Sequence, residues 1–527
     1  MRKLSVLDVT LRDGGCINNF NFGQVYMNKI LFALEESNVE YIELGYIDDK
    51  KGTIQGRTQY CNESVISQFF LKEKKPGKKY LTMMDYGKYD VKNLSVRTNS
   101  SIDGIRLAFH KKDKNEIVKI GKEIIEKGYE FYIQPMITMR YSDIELLELI
   151  DMVNCELKDA NGLYIVDSFG EMRANDLNRL MNIIDHNLVS TMSLGFHSHN
   201  NLQLSYSNAM ELLRFPTERN IILDSSIMGM GKGAGNLNTE LLLEHINLYY
   251  GGKYNIEPLL KVMDEVISVI RDEYYWGYRP EYYLSSINHC TPSYASYYYD
   301  KHMLSMDQIA NLLGKVEEDK KISFDLNYAE QKYQEFRREK HVDDSQFVKI
   351  FSEKLINKSV ILIAPGKSIL QEVEKIKDIL GNKDIVSISL NNFDLFETDY
   401  IFITRAEMLD ALIRKGKNVI TLSNLYVKDV NYAGILDYRN WAIFDGETHD
   451  SAGIIIMNLL RRCKIGELIL AGFDGFSNNI NENYYDNSIR RTISEIQVEK
   501  NNAFNKKFIA EISKEVRVTF LTDSKYM

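Results

Sequence analysis

Short apolar runs alternate with amphipathic stretches through the first half of the chain. Strand patterns are predicted at Ser5–Leu11, Tyr41–Ile47, Tyr80–Asp85, Gly104–His110, Glu130–Ile137, Gly162–Asp167, Ser190–His199 and Ile221–Ile227. Between most of them apolar residues recur at helical spacing, over Gln24–Ser37, Glu116–Lys127, Asp143–Asn154, Asp176–Asp185, Leu202–Leu213 and Asn238–Tyr249. Eight strands alternating with helices are what a (β/α)8 barrel requires; an open doubly wound sheet is the competing layout.

After about residue 255 the strand pattern stops. Residues 255–345 read as helices, with an aromatic run from Tyr274 to Tyr283. Ser305 reads as the N-cap of a short helix stopped at Gly314, and residues 328–356 are charged and helical. A second α/β pattern begins at Ser359: a buried-type strand to Ala364, the turn Pro365-Gly366-Lys367-Ser368, and an amphipathic helix from Ile369 to Leu380. Strands follow at Ile385–Leu390, Tyr400–Ile403, Asn418–Leu422, Trp441–Phe444, Glu467–Ala471 and Arg517–Leu521. The expected organisation is α/β: a (β/α)8 TIM barrel over 1–254, a helical post-barrel extension over 255–354, and a Rossmann-like α/β domain over 355–527.

At 527 residues the chain is long enough for more than one core, and its 44% apolar content suits globular domains. The net charge of −9 comes with no basic block, which argues against nucleic acid as a partner. No apolar stretch is long enough to span a bilayer and no signal-peptide pattern opens the chain, so a cytoplasmic location is expected. Five scattered cysteines, without CxxC spacing, fit a reducing compartment better than a disulfide framework.

The chemistry concentrates at strand ends. His197 and His199 are two apart on one strand and so share a face. Asp13 closes the first strand region in Asp8-Val9-Thr10-Leu11-Arg12-Asp13-Gly14-Gly15. The loop Met228-Gly229-Met230-Gly231-Lys232-Gly233-Ala234-Gly235-Asn236 follows the eighth strand. One acid and two imidazoles can hold a divalent cation. Oxygen and nitrogen donors without thiolate suit Mn²⁺ or Mg²⁺, with Zn²⁺ ranked below.

These three motifs, in this order, resemble the pyruvate-aldolase branch of the HMG-CoA-lyase-like metal enzymes, a group that includes 4-hydroxy-2-oxovalerate aldolase and the isopropylmalate and homocitrate synthases. The resemblance spans the first ~300 residues. It implies that Asp13, His197 and His199 ligate the metal, that Arg12 steadies an enolate oxygen, and that Asn236 lies close to the metal. It also implies a tyrosine from the post-barrel helices over the barrel mouth, for which Tyr283 is the candidate, and a general-base histidine three residues after the metal aspartate. Cys16 stands at that position. The base is then Cys16 itself with a lowered pKa, a metal-bound hydroxide, His110 or Tyr283.

The residues leave other readings open. Arg12 can bridge to Asp8 or Glu43 instead. Asn236 can cap the next helix, and the glycines of 229–235 can form a tight turn or bind an anion. Tyr283 can be a packed aromatic. Glu43, Arg106, Gln134, Thr138, Asp167 and Ser168 are further strand-end polar residues; Glu43, Thr138 and Ser168 are taken as substrate-binding candidates.

In the last third, Gly366 and Ser368 could hold an anion on a helix N-terminus, although no P-loop frame is present. Ser451 and Gly453 open an apolar helix, and Asp474 follows a strand. These five are the candidate ligand residues of that domain, and His449 is a candidate base or a loop residue. The pattern is similar to bacterial family-42 sialyltransferase-like domains, which implies a nucleotide or sugar nucleotide as ligand. The leading expectation is a metal-dependent (class II) aldolase or lyase acting on pyruvate or a related 2-oxo acid and an aldehyde, in surface-polysaccharide or unusual-sugar biosynthesis, as a homo-oligomer. The alternatives are an acetyl-CoA-dependent Claisen-type synthase and a catalytically altered binding protein.

Overall fold

The alternation in the first half closes a parallel barrel in this computed structural model, which describes residues 3–70, 74–301, 304–391, 395–405, 408–409, 417–427, 430–443, 451–486 and 495–527. The chain divides into two compact units, Met1–Pro292 and Ser293–Met527. In the first unit the strands are β1 (Leu4–Asp8), β2 (Tyr41–Ile47), β3 (Gln59–Tyr60), β4 (Lys79–Asp85), β5 (Gly104–Phe109), β6 (Glu130–Pro135), β7 (Gly162–Asp167), β8 (Ser193–Ser198) and β9 (Ile221–Ser225). Each long strand pairs in parallel with the next, and β1 pairs with both β9 and β2, so eight strands close the cylinder. The two-residue β3 adds only to the edge of β2 beyond it.

Strand alternation explains the interior. Leu7, Leu81, Tyr132, Tyr164 and Ile222 point inward and pack as a small apolar cluster. Two residues further along the same faces, the inward row becomes mixed, with Gln134 and Asp224 beside the apolar Val9, Met83 and Val166. Glu43, Arg106 and His197 occupy the matching inward positions on β2, β5 and β8. The opposite faces bury a larger apolar layer against the helices, among them Gln24–Glu36, Ile117–Glu126, Asp143–Glu156, Ala174–Asn187, Ser205–Arg214 and Thr239–Tyr250. Ser142 starts one of them with a reciprocal capping box to Glu145. The helix Glu63–Phe70, which its pattern did not announce, joins this layer.

The post-barrel residues of the first unit are tied to the loops at the strand C-terminal ends. Trp276 Nε1 donates to Met228 O at 2.9 Å, Ser286 Oγ donates to Phe169 O at 2.6 Å, and Arg140 Nη2 donates to His289 O at 2.8 Å.

The second unit holds a parallel sheet of β10 (Ser359–Ile363), β11 (Ile385–Leu390), β12 (Tyr400–Phe402), β13 (Val419–Leu422), β14 (Gly434–Leu436), β15 (Glu467–Ala471) and β16 (Arg517–Phe520). Its order is β14-β13-β12-β11-β10-β15-β16. Ser305 does cap a helix, Met306–Gly314, with Gln308 completing the box. The expected strand at Trp441–Phe444 is corrected: Tyr438–Trp441 is a short helix, capped by Asp437, and Trp441 Nε1 donates to Asp344 at 2.6 Å; Phe444 lies outside the described residues. The apolar run that starts at Trp441 gives a strand signature, although Trp441 itself closes a helix and is buried there. The strand that lies nearby is β14. The helix expected from Ile369 begins as a 3-10 turn, Lys367–Leu370, and continues as Val373–Leu380. Among the described residues no helix is long and apolar enough to cross a membrane.

A Cβ at Gly195 on β8 would overlap the ring of Tyr164, over which Arg106 lies at 4.8 Å. Gly195→Ala is therefore expected to destabilise the barrel by about 1–3 kcal/mol. Thermal and urea unfolding of the variant against the parent measure this.

Candidate metal centre at the barrel mouth

Three donors meet where the sequence spacing pointed. One side-chain donor atom each from Asp13, His197 and His199 lies within 4.8 Å of the others. Asp13 reaches the mouth because the chain turns sharply after β1: the amides of Arg12 and Asp13 both donate to Val9 O, at 3.0 and 2.8 Å. His197 is the penultimate residue of β8, and His199 follows the strand.

Each donor is held by neighbours. Asp224 on β9 accepts from His197 Nδ1 at 2.9 Å, and Lys232 O stands 3.2 Å from His199 Nδ1. With both Nδ1 atoms engaged, each ring has its Nε2 left to offer. Arg12 Nη1 donates to Asp13 Oδ1 at 2.5 Å and Asn236 Nδ2 donates to Asp13 Oδ2 at 2.7 Å. Asn236 is placed by a bridge between its backbone and that of His199, and by Asn200 N donating to Gly235 O at 2.7 Å. It does not cap the following helix, whose N-cap is Asn238. Gly231 makes room for this pairing, because a Cβ there would overlap Asn236 Nδ2 and crowd Asp13 Oδ2.

Behind the donors runs a buried charge network that the sequence did not reveal as a unit. Glu43 Oε2 accepts from Arg12 Nε at 2.7 Å and from Arg106 Nη1 at 2.9 Å. Arg106 Nη2 also donates to Asp224 Oδ2, the oxygen that meets His197. Glu43 and Arg106 have 0% exposure. Arg12 thus makes the bridge to Glu43 and the contact to Asp13 together. Asp224 was not singled out from sequence; its alternation with Ile222 on a barrel strand was the available signal.

Electrostatics favour the ligand forms. Burial alone would raise the Asp13 carboxyl, but Arg12, His199 and His197 hold it below the ordinary carboxylate range. Burial pushes the His199 imidazole down to about 4, against the pull of Asp13, so it is neutral at physiological pH. Among the buried polar atoms here with no partner in the protein are Arg12 Nη2, a donor, and Asn236 Oδ1, an acceptor; Glu43 Oε1, Arg106 Nε and Asp224 Oδ1 in the network behind are also unpartnered. A divalent cation with an anionic, oxygen-bearing substrate fits the Arg12 and Asn236 atoms and the oxygen–nitrogen donor set.

The candidate proton-moving residues differ in their fitness. Burial, then the Asp13 charge, push the Cys16 thiol up to about 12, so it stays protonated at neutral pH. His110 ends β5 half-buried, and burial lowers its imidazole below the usual value with Asp113 opposing. Asp85, at the end of β4, is raised by burial while the Tyr46 hydroxyl bonded to it, Arg12 and His110 oppose the rise. Asp85 and Tyr46 are residues of the mouth that the sequence reading passed over. Tyr283, in the helix Pro280–Ile287, is 42% exposed. Thr138 spends its hydroxyl on backbone, donating to Pro135 O and accepting from Val166 N; Ser168 Oγ accepts from Ile137 N. Gln134 lies buried on β6. Burial raises Asp167 to about 7, although it accepts the Glu171 and Met172 amides.

In the second unit Gly366, Ser451, Gly453 and Asp474 line one cavity. Ser368 does not line it; its amide and hydroxyl both donate to Asp474. His449 lies outside the described residues.

Comparison with known proteins agrees with the barrel. Residues 3–263 match the HMGL-like family model. A 4-hydroxy-2-oxovalerate aldolase of Geobacillus thermodenitrificans is 25% identical over 294 residues, covering 53% of this chain and 83% of that protein. One from Bacillus cereus is 26% identical over 264 residues, covering 50% and 74%. Among solved structures, the N-terminal domain of a candidate aldolase from Bacteroides vulgatus superposes with a TM-score of 0.50 at 24% identity, covering 58% of this chain and 99% of that one. This last likeness concerns the fold.

Three carboxylates (Asp13, Glu43, Asp224) against two guanidiniums (Arg12, Arg106) leave one negative charge facing an incoming cation. Asp224→Asn removes that charge and loosens His197. It is expected to weaken Mn²⁺ binding about 10–100-fold, as measured by titration calorimetry on metal-stripped protein.

Proposed function

We propose, from the match of residues 3–263 to the HMGL-like family model and from the donors at the barrel mouth, that this chain is a divalent-metal-dependent carbon–carbon lyase of the aldolase type, acting on pyruvate or a related 2-oxo acid. The observation that carries the reading is the convergence of Asp13, His197 and His199 beside the unpartnered donor Arg12 Nη2. Asp13, His197 and His199 would hold the cation, with Mn²⁺ or Mg²⁺ preferred for this donor set. When bound, such a cation supplies Lewis acidity toward the oxygens of a 2-oxo acid.

The protein's own groups do the rest. Arg12 is fixed by Glu43 and Asp13 on two of its nitrogens, so Nη2 is aimed without reorganisation at an oxygen that gains negative charge when the methyl carbon loses a proton. Asn236 orients Asp13 and presents Oδ1 to the same space. His110, neutral through burial, is the residue we assign to accept the proton, with the carboxyl of Asp85 near it. A protonated, exposed Cys16 suits hydrogen-bond donation better than proton abstraction. The aldolase relatives support a lyase assignment at about a quarter identity.

The test is exchange of pyruvate methyl protons with deuterium, followed by NMR with Mn²⁺, Mg²⁺ or Zn²⁺. Metal-dependent exchange is expected. It should vanish in Asp13→Ala, whose bound metal should be lost as well. Absence of exchange with every metal, together with full metal binding, would overturn the lyase reading, and CoA release from acetyl-CoA with 2-oxo acids would redirect it to a Claisen synthase.

The two proton candidates separate by mutation. His110→Gln should slow exchange about 10²–10⁴-fold at unchanged metal affinity, whereas Cys16→Ala should stay within a few-fold of the parent. The reverse order would transfer the role to Cys16.

A further inference from the structure

The sheet of the second unit reverses its winding between β10 and β15. From β10 the strands step outward through β11, β12, β13 and β14; the chain then lays β15 and β16 on the other side. Loops leaving strands on either side of such a reversal part from each other, and open α/β sheets take ligands in the crevice this creates. Ala364, Pro365 and Gly366 leave β10, and Gly472 to Phe476 leave β15. Both segments line a single cavity, together with Asn391 beyond β11, Arg405 beyond β12, and the start of the helix Ala452–Arg462.

The floor of the cavity excludes one ligand group and selects another. A Cβ on Gly366 would overlap Gly472 O and the Asp474 carboxylate, so glycine lets the two loops meet. The Ser368 amide donates to Asp474 Oδ2 at 2.8 Å and its hydroxyl to Oδ1. The turn that reads as an anion cradle is therefore filled by the protein's own carboxylate, and a phosphate there would meet like charge. The Lys367 backbone amide also bonds this carboxylate, so its remaining acceptor capacity suits a ligand hydroxyl.

The opposite wall has the complementary character. Ser451 is the N-cap of an eleven-residue helix, yet its hydroxyl makes no cap bond, and it lines the cavity with Gly453 and Arg405. The positive end of that helix and a guanidinium share one space. Phe473, Phe476, Tyr484 and Phe504 supply flat apolar surface to the same cavity.

The geometry points to a nucleotide site in this cavity: a ribose hydroxyl on Asp474, a phosphate at Ser451, Gly453 and Arg405, and a base against the aromatic side chains. A single nucleotide, free or esterified, fits better than a dinucleotide, because the turn after β10 that would take a pyrophosphate is already filled. The inference is independent of the barrel reading.

Calorimetric titration of the full chain in EDTA with CMP, UMP, AMP and GMP tests it, alongside inorganic phosphate and ribose 5-phosphate. At least one nucleotide is expected to bind, and phosphate and ribose 5-phosphate to bind it at least about tenfold more weakly. The 2′,3′-dideoxy form of the bound nucleotide should lose about tenfold or more on unaltered protein, as should the ribonucleotide on Arg405→Gln. Asp13→Ala should leave binding unchanged. No binding by any of the four at about 1 mM, or phosphate binding as tightly as the nucleotides, would overturn the proposal. Equal binding of the dideoxy form would overturn the assignment of Asp474, without calling on a variant that disturbs Ser368.

Discussion

The barrel mouth depends on a run of charges sealed from water: Arg12, Glu43, Arg106, Asp224 and then His197. Burying each ion costs several kcal/mol, and attraction repays it only when geometry is close and every charge is shared. Here the carboxylates are bridges. Glu43 Oε2 joins two guanidiniums, and Asp224 Oδ2 joins Arg106 to His197. No member can be deleted without leaving a partner charge stranded. The network is therefore costly scaffolding whose return is direction: from strand-borne Glu43, Arg106 and Asp224 it fixes the imidazole of His197 and the guanidinium of Arg12.

Direction has a consequence for chemistry. Arg12 is held on two nitrogens and presents the third, and His197 is held on Nδ1 and presents Nε2. Asp13, His199 and Asn236, like Arg12, come from segments beyond the strands, and these three are fastened to one another by the His199–Asn236 bridge and the Asn236–Asp13 hydrogen bond. A site assembled this way is organised before ligand arrives, which is what stabilising a developing charge requires. The residual negative charge of the cluster sets its preference for a cation over a substrate carboxylate alone.

The barrel was legible from alternation because its strands are buried on both faces and most are followed by an amphipathic helix. Its boundaries shift by only a few residues: Ser5–Leu11 becomes Leu4–Asp8, and Ser190–His199 becomes Ser193–Ser198. The elements that escaped are short or atypical. β3 has two residues, below the length at which alternation can be seen. The apolar run Trp441–Phe444 reads as a strand, but Trp441 ends the helix Tyr438–Trp441 and is buried for packing rather than pairing. At the site, Asp13, His197 and His199 stood out by residue type and spacing. Asp224 did not, because its partners Arg106 and His197 are 118 and 27 residues away, and only barrel closure brings them together. The Asp85–Tyr46 pair is hidden in the same way, each residue ordinary on its own strand.

Glycine turns after strands illustrate a limit of reading motifs as ligand cradles. In both units a glycine creates space that a carboxylate of the same protein enters. Gly231 admits the Asn236–Asp13 contact, and Gly366 admits Asp474. What differs is how fully that carboxylate is satisfied. Asp13 is met by one arginine and one amide and still faces two imidazoles, so its charge remains available to a cation. Asp474 is met by the backbone and hydroxyl of Ser368, which consumes the amide of the turn and turns an anion site into a hydroxyl-accepting one. The turn sequence is equally open to either result. The distance to the nearest internal acid decides between them, and that distance is a property of the sheet order, not of the motif.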